Sequence, residues 1–277
     1  MRHDWAYYYD NVEDMDTWVG KILKELDESG QAENTIVFYY GDHGGVLGRS
    51  KRFIYESGTR VPFIVRIPEK YKYLLEGKKP GTKEDRIISF VDLAPTLLSI
   101  IGAEIPDYMQ GSAFLGKQKT KDPEYAYMFR GRMDERYDMI RSVRSDKFRY
   151  NVNYMPYRPY GQYLAYLWRA PSMAAWEEAY QSGICNDEQS AFFESKPVEE
   201  LYLTEKDPWE VNNLASDPEY ADVLDELRQA CKDWMQEIKD PGLIPEPLRF
   251  ELYGNESVYD IVRQEGYPLD KIHAAAW

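Results

Sequence analysis

Six consecutive residues, Thr35-Ile36-Val37-Phe38-Tyr39-Tyr40, are β-branched or aromatic, and the run stops at Gly41-Asp42-His43-Gly44-Gly45. Such a run fits a strand buried on both faces. Ahead of it, Val12, Met15, Trp18, Val19, Ile22, Leu23 and Leu26 recur at three- and four-residue steps. This is the pattern of an amphipathic helix, and Ser29-Gly30 is placed to end it. Helix, short loop and buried strand form half of an α/β unit in a largely parallel sheet. Val61 to Ile67, closed by Pro68, reads as a neighbouring strand of the same sheet. In open α/β sheets ligands gather outside the carboxyl ends of strands, so Gly41 to Gly45 is where a site should lie. An acid and an imidazole side by side, loosened by glycines, can turn toward one metal ion. The same tetrapeptide met alone is more often just a polar loop.

Farther along, Asp92 is placed to cap a helix over Leu93 to Ile101, with Gly102 at its end. After Lys117-Gln118-Lys119-Thr120-Lys121 the texture changes. Met139 to Arg144 and Phe148 to Tyr154 alternate as a hairpin does, with Ser145-Asp146-Lys147 as the turn. Leu224 to Met235 is amphipathic and helical, and the stretch after Pro241 to Pro247 reads as a surface arm. The expected division is therefore 1–120, an α/β part, and 121–277, a smaller α+β part with an antiparallel sheet. Arg130, Arg132, Arg136, Arg141, Arg144 and Arg149 read mostly as solvated cations on one sheet face, and less readily as contacts to an anionic substrate. The aromatics from Tyr157 to Trp168 read as packing rather than as sugar platforms.

Composition narrows the function classes. With 34 Lys and Arg against 48 Asp and Glu the formal charge is −14, which lacks the excess cation that nucleic-acid binding needs. No apolar run approaches the roughly 20 residues of a membrane helix, and the first residues form no export signal. Cys185 and Cys231 are expected as two separate thiols, and His3 and His273 as surface histidines.

Taken together, Asp42-His43-Gly44, Lys51, Tyr55-Glu56 and Arg60-Val61-Pro62 resemble the C-terminal active-site segment of type I sulfatases in the alkaline phosphatase superfamily. Val91 to Leu98 with Gly102, Ile105-Pro106 and Gln110-Gly111 is similar to the helix that follows in that family. Glu200-Leu201-Tyr202 through Asn212-Asn213-Leu214-Ala215 resembles its C-terminal stretch, although Leu203 and Thr204 stand where Asp and Leu are usual. The resemblance implies the C-terminal part of an alkaline-phosphatase-like parallel sheet sandwiched by helices. It implies hydrolysis of a sulfate ester, of a carbohydrate by preference, and an exported or periplasmic protein. It implies Ca²⁺ held partly by Asp42 and His43, with Lys51 holding the sulfate. Imidazole suits Mn²⁺ or Zn²⁺ better than Ca²⁺, so these are the alternative metals, and a phosphodiester or phosphonate hydrolase is the alternative enzyme.

The family's nucleophile is a formylglycine made in a Cys- or Ser-x-Pro-x-Arg motif, and no such motif occurs in these residues. The acidic pair that completes the metal cage, and the family's upstream His and Lys, have no counterpart either. The expectation is a segment that begins within a catalytic domain, with Met1 an internal or misassigned start or a truncation. Such a chain should be inactive alone, or serve only in binding. It should also associate through apolar faces that lack their neighbours.

Overall fold

The computed structural model describes residues 1–277. In chain order its main elements are α1 (Arg2–Glu28), β1 (Val37–Tyr40), the single turn α2 (Glu56–Thr59), β2 (Phe63–Arg66) and α3 (Leu93–Ile101). Then follow β3 (Ala126–Arg130), β4 (Ile140–Arg144), β5 (Phe148–Asn153), α4 (Pro171–Gln181), α5 (Asp187–Ser190), β6 (Glu199–Leu203) and α6 (Ala221–Glu237). Three short helices close the chain: α7 (Glu246–Tyr253), α8 (Val258–Ile261) and α9 (Leu269–Ala276). They form two compact units. The first holds residues 1–51, 57–126 and 167–178, and the second holds 52–56, 127–166 and 179–277.

In the first unit α1 ends at Ser29, and Gly30 takes the left-handed conformation (φ 71°) that glycine adopts without a steric penalty. β1 and β2 pair in antiparallel register, Val37 with Arg66 and Tyr40 with Phe63. The sequence pattern suggested a parallel sheet. An antiparallel strand on the edge of a mostly parallel sheet is common, and no strand of this chain is a parallel partner for either. Nor is β1 buried on both faces: its residues are half-buried and Tyr40 is exposed, as a two-stranded ribbon requires. α3 starts at the expected Asp92, yet the carboxylate caps a different group. It accepts the amides of Ser89 at 2.9 Å and Ser112 at 2.8 Å, tying the helix start to the loop after it.

The second unit is built on a four-stranded sheet in the order β3-β4-β5-β6, with β4–β5 and β5–β6 antiparallel. The hairpin turn falls at Ser145 to Lys147, where its polar residues placed it, and Arg144 pairs with Arg149 across it. Ile140, Val143, Tyr150 and Leu201 of this sheet are completely buried, and α6 contributes Leu227, Cys231 and Met235 to the buried core. The final helices are packed together rather than simply laid along the surface. Ile244, Tyr253, Ile261, Val262 and Leu269 make a small core of their own.

His273 also departs from expectation: it is buried, with Nε2 2.7 Å from the Asp240 carbonyl oxygen. Cys185 and Cys231 are both free thiols. No helix is long and apolar enough to cross a membrane.

Candidate active site

β1 delivers the chain into a loop whose shape is set by close backbone approach. The amide of Gly44 donates to the Gly58 carbonyl at 3.0 Å, and a Cβ on Gly44 would collide with the carbonyl of Ser57. On Gly45 it would come within 2.5 Å of the Tyr8 ring, so Gly44 is required by the backbone beside it and Gly45 lies close against that ring. The Lys51 amide donates to the Gly45 carbonyl at 3.1 Å, closing the loop upon itself. Ser50 Oγ donates to the Ser57 carbonyl at 2.7 Å and pins the far side.

Asp42 and His43 meet at the head of this loop. His43 Nδ1 lies 2.6 Å from the Gly44 carbonyl oxygen, a distance that requires Nδ1 to carry the proton. In the neutral ring Nε2 is then the lone-pair nitrogen, and it lies 3.4 Å from Asp42 Oδ2. That separation suits two ligands meeting at one ion with bonds of roughly 2.0–2.5 Å. A histidine that donates its other N–H to a backbone carbonyl is also the usual arrangement around a metal. The donor set fits a divalent ion but is incomplete, because no group of three or more His, Cys, Asp or Glu side chains comes together. Asp42 is open to solvent, whereas His43 is half-buried.

Lys51 sits between two residues in the left-handed region, Arg49 (φ 59°) and Arg52 (φ 79°). Non-glycine residues held there carry strain that persists only where the surroundings fix them, and such positions cluster at functional sites. On the C-terminal side the fixing is visible within the second unit. The Arg52 guanidinium pairs with Asp134 at 2.7 Å, and Phe53, Ile54, Tyr55 and Glu56 are all buried. Phe53 packs edge-on against Phe192 at 5.1 Å between ring centres, and Tyr55 lies 5.1 Å from Tyr160.

Glu56 is held by charge. Arg144 Nε donates to its Oε1 at 2.9 Å, and Arg149 donates to the same oxygen. Arg149 Nε also pairs with Glu210 at 2.8 Å, while Glu210 accepts the Glu56 amide at 2.8 Å. Burial pushes the Glu56 carboxyl up, but the two guanidiniums more than offset it and hold it below the usual range.

Of the six arginines that read mostly as solvated cations, Arg130, Arg141 and Arg149 are buried, Arg144 is half-buried, and Arg132 stays exposed. Arg141 grips Asp240 in a two-pronged pair, with Nη2 to Oδ1 at 2.9 Å. Arg130 lies 3.8 Å from Asp138, which Lys196 also engages at 2.6 and 2.7 Å. Arg132 pairs with Glu246, and Arg136 donates to the Tyr163 carbonyl at 2.6 Å. Apart from Asp138, eight residues from Arg130, their carboxylate partners lie far off in sequence with no fixed spacing, so no local pattern could have revealed them.

Comparison with known proteins bears on this site. A family model described as sulfatase matches residues 2–103. An ulvan-active sulfatase of Formosa agariphila is 43% identical over 247 residues, spanning 89% of this chain and 40% of the relative. The human N-sulphoglucosamine sulphohydrolase is 28% identical over 255 residues, spanning 87% and 49%. The chain thus covers less than half the length of these two relatives. Among solved structures, BT4656 in complex with its substrate D-glucosamine-2-N,6-O-disulfate is similar, with a TM-score of 0.58 and 25% identity over 83% of this chain and 40% of that one. A phosphonate monoester hydrolase of Agrobacterium radiobacter shares the fold alone, with a TM-score of 0.55 and 18% identity over 82% and 40%. The helices and antiparallel sheets match the C-terminal part of the alkaline-phosphatase-like fold of these sulfatases.

Proposed function

Because the chain belongs to the sulfatase family, and to the C-terminal portion of that family's fold, we propose that it forms one side of the active site of a sulfuric ester hydrolase acting on a sulfated carbohydrate. Asp42 and His43 are its contribution to the metal cage, and Lys51 is the cation that receives the sulfate. The observation that carries this reading is the His43 ring. Its Nδ1 donates to the Gly44 carbonyl, and its Nε2 lies 3.4 Å from the Asp42 carboxylate, so the two side chains converge.

Ca²⁺, or Mn²⁺ or Zn²⁺ in its place, supplies positive charge beside the sulfuryl oxygens when bound. The chain's own residues do the rest of what can be assigned. Asp42 and His43 define the edge from which that charge acts, and the Gly44 carbonyl keeps the imidazole in the tautomer that leaves Nε2 open. The Lys51 ammonium binds a sulfate oxygen as a point charge, and it is carried between the left-handed residues Arg49 and Arg52. The nucleophile is not among these residues, since no Cys- or Ser-x-Pro-x-Arg sequence is present.

The test is sulfate release from 4-nitrophenyl sulfate and from sulfated glycans by the product of the complete reading frame that encodes this segment. Asp42→Ala, His43→Ala and Lys51→Ala should each lower kcat/KM by about a hundredfold or more, the scale of removing one preorganised electrostatic contact. A product that releases phosphonate or phosphate but no sulfate, or full activity in all three variants, would defeat the reading.

A further inference from the structure

Two serines clasp the two arms of the loop that carries Lys51. Ser50 Oγ donates to the Ser57 carbonyl at 2.7 Å, and Ser57 Oγ donates back to the Arg49 carbonyl. Each hydroxyl has one proton, and each proton is spent on a backbone acceptor of the opposite arm. Ser50 is buried and Ser57 half-buried, a setting in which water does not freely replace a lost hydrogen bond. The chain leaves the first unit after Lys51 and rejoins it at Ser57. The clasp thus ties the two ends of that excursion together within the first unit.

The backbone it holds belongs to both halves of the candidate site. Arg49, whose carbonyl takes the Ser57 hydroxyl, is in the left-handed region (φ 59°). A non-glycine residue stays there only where its surroundings fix it, and the Ser57 hydroxyl is one such fixing contact. Two residues on, the Lys51 amide closes on the Gly45 carbonyl. On the other side, the Gly44 amide donates to the carbonyl of Gly58, the neighbour of Ser57. The atoms that a Cβ on Gly44 would strike first are the Ser57 carbonyl and Ser50 Oγ themselves. Gly44 is the residue whose carbonyl orients the His43 ring. The clasp is therefore packed against the backbone of the metal edge and bonded beside the backbone of the cation.

We propose that Ser50 and Ser57 are positioning residues: their reciprocal hydrogen bonds hold the Lys51 ammonium in its place relative to the His43 edge, and so set the affinity for the sulfate group. This role rests on the sulfatase reading. Neither serine offers a proton to substrate, so the effect runs wholly through Arg49, Gly44 and the backbone of Lys51.

Two measurements test it. The first is amide hydrogen exchange on the full chain. Ser57→Ala should speed exchange at Gly44 and Lys51 about tenfold, the scale of one lost hydrogen bond, and leave the β1–β2 ladder as in the parent. The second is steady-state hydrolysis of 4-nitrophenyl sulfate by the product of the complete reading frame, with inorganic sulfate as competitor. Ser50→Ala and Ser57→Ala should each raise KM and the inhibition constant of sulfate about tenfold, because a displaced cation binds the anion less well. A mere loss of folded protein lowers kcat and leaves both constants where they were. Ser57→Thr, which keeps the hydroxyl, should restore both to within about twofold of the parent. The proposal is overturned if exchange at Gly44 and Lys51 does not change, if KM and the inhibition constant stay at the parent's values, or if Ser57→Thr behaves like Ser57→Ala. A parent product that releases no sulfate defeats the sulfatase reading and this role with it, whereas an active parent with unmoved constants in both alanine variants overturns the positioning role alone.

Discussion

The two units bury their apolar residues very differently. In the second, Ile140, Val143, Tyr150 and Leu201 are 0% exposed, and even the charged Arg149 is 1% exposed. In the first, α1 has no buried residue at all along its 27 residues, and Trp18 and Ile22 are 63% and 60% exposed. The β1–β2 ribbon leaves Ile64 60% exposed. A helix with an apolar stripe gains its stability by burying it. The second unit thus satisfies its own hydrophobic pattern, and the first carries a pattern written for neighbours that these residues do not provide. The candidate active-site loop belongs to the less satisfied unit, while the segment that follows Lys51 is locked into the well-packed one.

The sharpest way to break this contrast is Arg149→Met. It removes the guanidinium that pairs with Glu210 and one of the two on Glu56, and taking one member from a buried charge pair costs about 3–5 kcal/mol. Urea unfolding followed at the second unit should show that loss. A change under about 1 kcal/mol would mean that the network is far more hydrated than its burial indicates.

Acid should have the next largest effect. The Glu56 carboxyl is depressed by Arg144 and Arg149 despite burial, and Asp240 is depressed by Arg141 and the Gly242 amide despite burial. A carboxyl depressed in the folded state stabilises fully above its unfolded value, about 3.9 for Asp and 4.3 for Glu, and loses that contribution as pH falls through the folded value. The unfolding temperature of the second unit should therefore hold from neutrality to about pH 5 and fall steeply below about pH 4. A decline that began near neutrality would point to histidine instead.

The smallest change in stability is expected on α1. Trp18→Lys and Ile22→Lys replace exposed apolar side chains, so unfolding should shift by no more than about 0.5 kcal/mol. Self-association should nonetheless fall, because a large exposed apolar face is a template for it. Size-exclusion chromatography that shows a clean monomer for the parent chain would remove the basis of the contrast.

Much of this was readable locally. The periodicity from Val12 to Leu26, the strand ending at Tyr40, the Ser145-Asp146-Lys147 turn and the helix over Leu224 to Met235 all rest on neighbours in sequence, and the structure has each of them. The adjacency of Asp42 and His43 was equally plain, but not the 2.6 Å contact that orients the ring. What escaped depends on distant partners: Glu56 with Arg149 and Glu210, Arg141 with Asp240, and His273 with the Asp240 carbonyl. Charge pairs have no period, and burial of an arginine is decided by where its carboxylate arrives. The antiparallel β1–β2 pair escaped for a related reason, since an apolar run specifies a strand and not the direction of its neighbour.

The central claim is that these residues carry the metal edge and the sulfate-binding cation of a sulfatase site, without the group that attacks sulfur. Its most direct test is release of 4-nitrophenol from 4-nitrophenyl sulfate by the purified chain, with Ca²⁺, Mn²⁺ or Zn²⁺ in excess. The account predicts no release above the protein-free background under any of the three metals. Sustained turnover that disappears in His43→Ala would contradict it, because it would place a nucleophile within these residues.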